Sequence, residues 1–196
     1  MKGCKVMKRI LFLLAALVCL LPLAACGEQN KADADGFSSD SLVVVYDGKT
    51  YGVNVKVDTI RAALGEPTDT VAMQSCHYGD NGDEYWLYYY FGEGEYDASN
   101  GDDSDLLSVH TVPLKPGVDT ICDIECHTDK ATTDKGITVG STMEEMVKVY
   151  GKGYVDEGDG FYTYYDGEVL PTTPRLMFHI VDDTVEFFAV SAAINI

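Results

Sequence analysis

Positive charge is scarce in this chain. Only 14 Lys and Arg stand against 32 Asp and Glu, for a formal net charge of -18. Such a surface repels phosphate, which excludes nucleic acid as a partner and argues against adhesion to anionic lipid through basic side chains. Long apolar runs are scarce too. The stretch from Ile10 to Leu21 has no charge, but at twelve residues it falls short of the ~20 that span a bilayer. Enzyme signatures are missing: there is no Gly-x-Ser-x-Gly, no Ser-x-x-Lys, no phosphate loop and no His-Glu-x-x-His. Carboxylates are plentiful, yet plenty is not a paired acid and base with separated pKa values. The chain therefore reads as non-catalytic, with no cofactor and no metal expected.

Cysteine is limited to six residues. Cys4 and Cys19 belong to the apolar leader, Cys26 follows it, and Cys76, Cys122 and Cys126 remain. Three thiols allow at most one internal bridge. Cys122 and Cys126 lie four apart in an expected strand, ~13 Å at strand rise, too far to join each other. A bridge from Cys76 to either one stays open. Cys76-His77 and Cys126-His127, with Cys122 and His110 nearby in sequence, suggest soft-metal ligation or a Cys-His nucleophile, but neighbours on a strand point to opposite faces.

What is present begins at the N-terminus. Lys2, Lys5, Lys8 and Arg9 form a positive region, the apolar run follows, and Pro22 ends its helical tendency. Leu23-Ala24-Ala25-Cys26 then closes the leader with small residues ahead of a cysteine. This resembles the prokaryotic lipoprotein signal. The resemblance implies cleavage after Ala25, a diacylglyceryl group on Cys26, and a protein held by its acyl chains at the extracytoplasmic face of the cell membrane. Two or more chains anchor stably where one does not. Residues 1–25 carry four basic and no acidic side chains, so the remainder bears -22. Residues 26–40 are small, polar and charged, and cannot bury enough apolar area to order themselves. They read as a flexible tether.

Residues 41–196 fit one domain by length, large enough to fold without a metal or disulfide staple. An internal repeat divides them into units of about 41–130 and 131–196. Tyr51, Val53, Val57, Ile60, Leu64 and Gly65 frame a short helix in the first unit. Ile137, Val139, Met143, Met146, Tyr150 and Gly151 stand at corresponding places in the second. Ser141-Thr142-Met143-Glu144 reads as a capping box, with Ser141 accepting from the Glu144 amide. Strands are expected over about 70–76, 85–91 and 120–128, and again over 161–165, 175–181 and 184–193. Asp47-Gly48 and Asp182-Asp183 mark tight hairpins. The expected architecture is α+β: two tandem repeats of a short helical segment followed by antiparallel strands, with the helices packed on one sheet face.

The phrases Ile137-Thr138-Val139-Gly140-Ser141-Thr142-Met143-Glu144-Glu145 and Val149-Tyr150-Gly151 resemble the signature of the β-lactamase-inhibitor-protein-like superfamily. That group includes small envelope-assembly lipoproteins. The resemblance implies tandem helix-plus-sheet units whose open sheet face binds another protein. The inhibitory loop residues of the family have no counterpart here.

In the run Tyr85-Trp86-Leu87-Tyr88-Tyr89-Tyr90-Phe91, strand alternation places Tyr85, Leu87, Tyr89 and Phe91 on one face and Trp86, Tyr88 and Tyr90 on the other. The second set is expected on the open face, where Trp and Tyr serve as interface anchors. Tyr162 and Tyr164, with Arg175 and His179, are expected to extend it. The oxygen-rich loop from Gly92 to Asp105 fails the register of a calcium loop and reads as a solvated connection. Two function classes follow. One is a lipid-anchored envelope module that binds a protein through Trp86, Tyr88, Tyr90, Tyr162 and Tyr164. The other is an envelope glycan or small-ligand receptor, or a small envelope enzyme, which requires a concave pocket with convergent polar groups.

Overall fold

Three two-residue turns, each led by an aspartate, organise the chain. Asp47-Gly48 has φ of 50° and 69°, Asp159-Gly160 51° and 86°, and Asp182-Asp183 49° and 65°. Type I′ hairpins need positive φ at both central positions, which Asp and Gly accept with least cost. The first and third are the hairpins that the sequence predicts. The second was legible as Asp-Gly but was passed over. The computed structural model describes residues 36–74, 85–97, 105–115 and 118–192. The leader, Cys26, Cys76 and the centre of the acidic loop lie outside those residues.

Eleven strands and two α-helices are present among the described residues. β1 (Val43–Tyr46), β2 (Lys49–Gly52) and β7 (Ala131–Thr133) form a three-stranded sheet in the order β2-β1-β7. The larger sheet holds β3 (Asp69–Gln74), β4 (Tyr85–Gly92), β5 (Leu106–Lys115), β6 (Val118–Cys126), β8 (Val155–Gly158), β9 (Phe161–Tyr165), β10 (Arg175–Val181) and β11 (Thr184–Ser191). Its order is β3-β4-β5-β6-β11-β10-β9-β8, with every neighbouring pair antiparallel. The helices are α1 (Asp58–Leu64) and α2 (Met143–Tyr150).

This overturns the expected fold class. Among the described residues strand accounts for 50% and helix for 14%, so the protein is mostly β, with two antiparallel sheets rather than tandem helix-plus-sheet units. The helices have seven and eight residues, about two turns each, and hold only by packing. Strong helix punctuation in the sequence gave them more weight than their length supports. The ten-residue β5 was missed altogether, because His110 and Pro113 interrupt its apolar pattern. Pro113 is tolerated because the register breaks between Pro113 and Lys115. The β1–β2 hairpin pairs with β7 in a sheet that neither proposed unit contains.

The cap of α2 also differs by one residue. Thr142, not Ser141, is the N-cap: its hydroxyl accepts from the Glu145 amide at 3.2 Å, and the Thr142 amide donates back to Glu145 Oε2 at 2.8 Å. Both Ser-x-x-Glu and Thr-x-x-Glu fit the pattern, so the sequence is degenerate here. The Val185 amide donates to the Ser141 carbonyl and the Gly140 amide to the Val185 carbonyl, which hold Ser141 outside the helix, while its hydroxyl accepts from the Thr138 amide. Such a cap contributes ~1 kcal/mol. Gly151, at φ 80°, ends the helix.

One face of the large sheet packs against both helices. Ile60 of α1 and Met146 and Tyr150 of α2 share a core with Leu107, Ile124, Leu176, Phe178, Phe188 and Val190. At its centre Phe178 lies 5.8 Å from Tyr150, 6.3 Å from Tyr164 and 6.2 Å from Phe188, ring to ring. The Tyr164 hydroxyl donates to the Gly151 carbonyl at 2.7 Å, and Tyr150 donates to Asp134, so these two buried phenols are paired.

Candidate functional site

The other face of the large sheet is set by strand parity. On β4, Leu87, Tyr89 and Phe91 turn to the core, as alternation predicts. Tyr88 and Tyr90 turn to the outer face. Trp86 shares their parity and pairs with Met73 in register; its side chain lies outside the described set. Tyr88 is half-buried and meets His110 edge-on at 4.2 Å. Tyr90 is only 4% exposed, sealed under a stacked Tyr96 at 4.2 Å.

Tyr162 and Tyr164 do not belong to this face. Tyr164 is fully buried and Tyr162 packs against the same core. Cross-strand pairing explains the reversal: Tyr162 stands opposite Phe178 and Tyr164 opposite Leu176, both inward-facing. Parity groups residues into faces, but in Phe161-Tyr162-Thr163-Tyr164-Tyr165 either set is aromatic enough to be core.

Register then aligns a polar row across six strands. Tyr88 pairs with His110, His110 with Asp123, Asp123 with Ser191, Ser191 with Arg175 and Arg175 with Tyr165. In the next outer row Ser108, Ala189 and Thr163 are small and buried, flanking Glu125 and Met177. Sequence reasoning names His110 and His127 only as companions of the cysteines, because without β5 nothing brings His110 beside Asp123. It passed over Asp123 and Glu125 because attention went to Cys122 and Cys126. The available signal was the strict alternation of Asp123, Glu125 and His127 with Cys122, Ile124 and Cys126.

The centre of the face is electrostatically dense. His110 Nδ1 is 3.7 Å from Asp123 Oδ1, and His127 Nε2 is 3.3 Å from Glu125 Oε2. Ser191 donates to Asp123 Oδ2, whereas Asp123 Oδ1 is closed to water and receives no hydrogen bond. Burial, reinforced by the Glu125 charge, pushes the Asp123 carboxyl up to about 6 against the opposing pull of His110, Ser191 and Arg175. Burial also acts upward on Glu125, but the His127 hydrogen bond and the His110 and His127 charges outweigh it and hold Glu125 below its ordinary value. The two carboxylates, two residues apart on one strand, are thus driven in opposite directions.

Behind this row lie two thiols. Cys122 and Cys126 are buried and free. Burial pushes Cys122 up to about 12 and Cys126 well above its ordinary value, so neither makes a thiolate nucleophile. A depression of about 440 Å³ sits elsewhere, at the β1–β2 turn, lined by Tyr46, Asp47, Gly48, Glu93 and Lys130. Its Lys130 is held by Glu93 at 2.9 Å. Among the described residues no helix is long and apolar enough to cross a membrane. Compared with family models, with curated proteins and with solved structures, the chain gives no match in any of the three.

Proposed function

We propose that this chain is a lipid-anchored extracytoplasmic module, tethered through Cys26, that binds a protein partner on the outer face of its eight-stranded sheet. The role is binding, not turnover. The observation that carries the reading is the row from Tyr88 through His110, Asp123, Ser191 and Arg175 to Tyr165, which lies opposite the core face. Six strands at ~4.8 Å spacing make that row ~24 Å wide. A face of that width, with strands of comparable length, approaches the ~800 Å² that each partner contributes to a standard protein interface. Its side chains include Tyr and Arg, the favoured anchors, around a carboxylate centre.

Charge selects the partner class. With -22 on the chain beyond residue 25 and two carboxylates at the middle of the face, the complementary surface is basic. The test is affinity capture from envelope extract with the full chain and with a Tyr88→Ala/Arg175→Glu double variant. Wild type retains a discrete protein; the variant loses it at least tenfold while keeping its unfolding midpoint within a few degrees. Equal retention by a folded variant overturns the assignment of this face.

A further inference from the structure

We propose that His110, Asp123 and Glu125 bind one divalent transition-metal ion, zinc being the probe, on the outer face of the large sheet. The site stands on its own geometry and does not depend on a protein partner. His110 comes from β5, and Asp123 and Glu125 stand two apart on β6, so the pairing of His110 with Asp123 brings all three to one spot. An imidazole nitrogen and two carboxylate oxygens lie within 4.8 Å of one another. Ligands 2.0–2.1 Å from a tetrahedral ion are about 3.3 Å apart. The 3.7 Å between His110 Nδ1 and Asp123 Oδ1 needs only a few tenths of an ångström of closure. A rotation of the Glu125 carboxylate completes the set.

A second observation points independently to a cation. Asp123 Oδ1 is shielded from water and lacks a hydrogen-bond donor, although the other oxygen of the same carboxylate has Ser191. A buried carboxylate oxygen without a donor is unfavourable, and a bound cation supplies the partner. The surroundings also match what metal ligands require. Ser191 fixes one carboxylate, His127 holds the other at 3.3 Å, and the Tyr88 ring edge orients the His110 imidazole. One imidazole with two carboxylates is a borderline-to-hard donor set that suits zinc or manganese and not a thiophilic ion. Three protein ligands leave a fourth position open for water or for a side chain from outside.

Zinc binding to the full chain, stripped of metal beforehand, is measured by calorimetry, with cobalt absorption as the ligand-type reporter. One equivalent is expected to bind saturably. His110→Ala, Asp123→Asn and Glu125→Gln each weaken it at least tenfold, and Ser191→Ala weakens it about tenfold through Asp123. The cobalt spectrum shows tetrahedral d–d bands without a thiolate charge-transfer band. Circular dichroism qualifies each variant as folded; the near-isosteric Asp123→Asn and Glu125→Gln keep the test decisive if His110→Ala does not fold. Absence of saturable binding, a thiolate band, or undiminished affinity in folded Asp123→Asn and Glu125→Gln overturns the site.

Discussion

Phe178→Ala is expected to cost about 3–5 kcal/mol, a large share of the ~5–15 kcal/mol that holds a domain of this size. The ring is fully buried on β10, between Tyr162 of β9 and Phe188 of β11 in register, and it touches the aromatic side chains of α2 and β9. Its removal leaves a cavity that Tyr150, Tyr164 and Phe188 cannot all collapse into, since two of them are pinned through their hydroxyls. At 2–4 °C per kcal/mol for a domain of this length, the unfolding midpoint falls by roughly 6–20 °C. The contrasting substitution is Phe187→Ala on the neighbouring strand. Phe187 is half-buried on the outer face, stacked at 4.8 Å on His127, and its loss is expected to cost less than half as much. Denaturant titration of both variants reads the difference. Equal losses would mean that the inner and outer faces have been exchanged.

The second large effect concerns the thiols. Cys122 Sγ lies 3.3 Å from the His110 carbonyl, where it donates, and burial pushes its pKa up to about 12. At pH 8 a thiol near pKa 12 is ~0.01% thiolate, against ~20–25% for a free cysteine near 8.5. Alkylation of Cys122 in the folded chain is therefore expected to be roughly two-thousandfold slower than in the unfolded chain, before any steric protection. Cys126, fully buried among core residues, is expected to be at least as protected. Peptide mass measurement after timed alkylation, with and without denaturant, checks both positions. Reaction at the free-thiol rate in the folded protein would show that β5 and β6 part readily, and the polar row with them.

What the sequence disclosed was mainly local. Asp47-Gly48 and Asp182-Asp183 need only their own φ preferences to define hairpins. The stripe of Met143, Met146, Val147 and Tyr150 needs only helical periodicity to face a core, and all four do pack there. The alternation in β4 correctly separates Leu87, Tyr89 and Phe91 from Tyr88 and Tyr90. The errors came where the answer depends on partners distant in the chain. Tyr162 and Tyr164 were put on the wrong face because only Leu176 and Phe178, across β10, decide which side of β9 is inward. The cluster of His110, Asp123 and Glu125 depends on the β5–β6 register, which shifts by one residue between His110 and Thr111. That bulge decides which residues share a face, and no local pattern announces it.

The fold class failed for a related reason. Capping and glycine signals identify where helices begin and end, but not how little of the chain they occupy. The long β5 and the separate β2-β1-β7 sheet carry the architecture to mostly β. The small sheet depends on a pairing across a long stretch of chain, Val44 with Thr133, whereas β5 pairs with its chain neighbours β4 and β6 and escapes notice because His110 and Pro113 break its pattern.

The most direct test of the binding face is site-specific photo-cross-linking in intact cells, with the reactive side chain placed at position 88 or 175 on the outer face and at 144 as a control. Glu144 is exposed on α2, the helix that packs against the core face of the sheet. A discrete adduct to one other protein from positions 88 and 175, and none from 144, is the predicted result. Adducts of equal yield from all three positions, or none from 88 and 175, would contradict it.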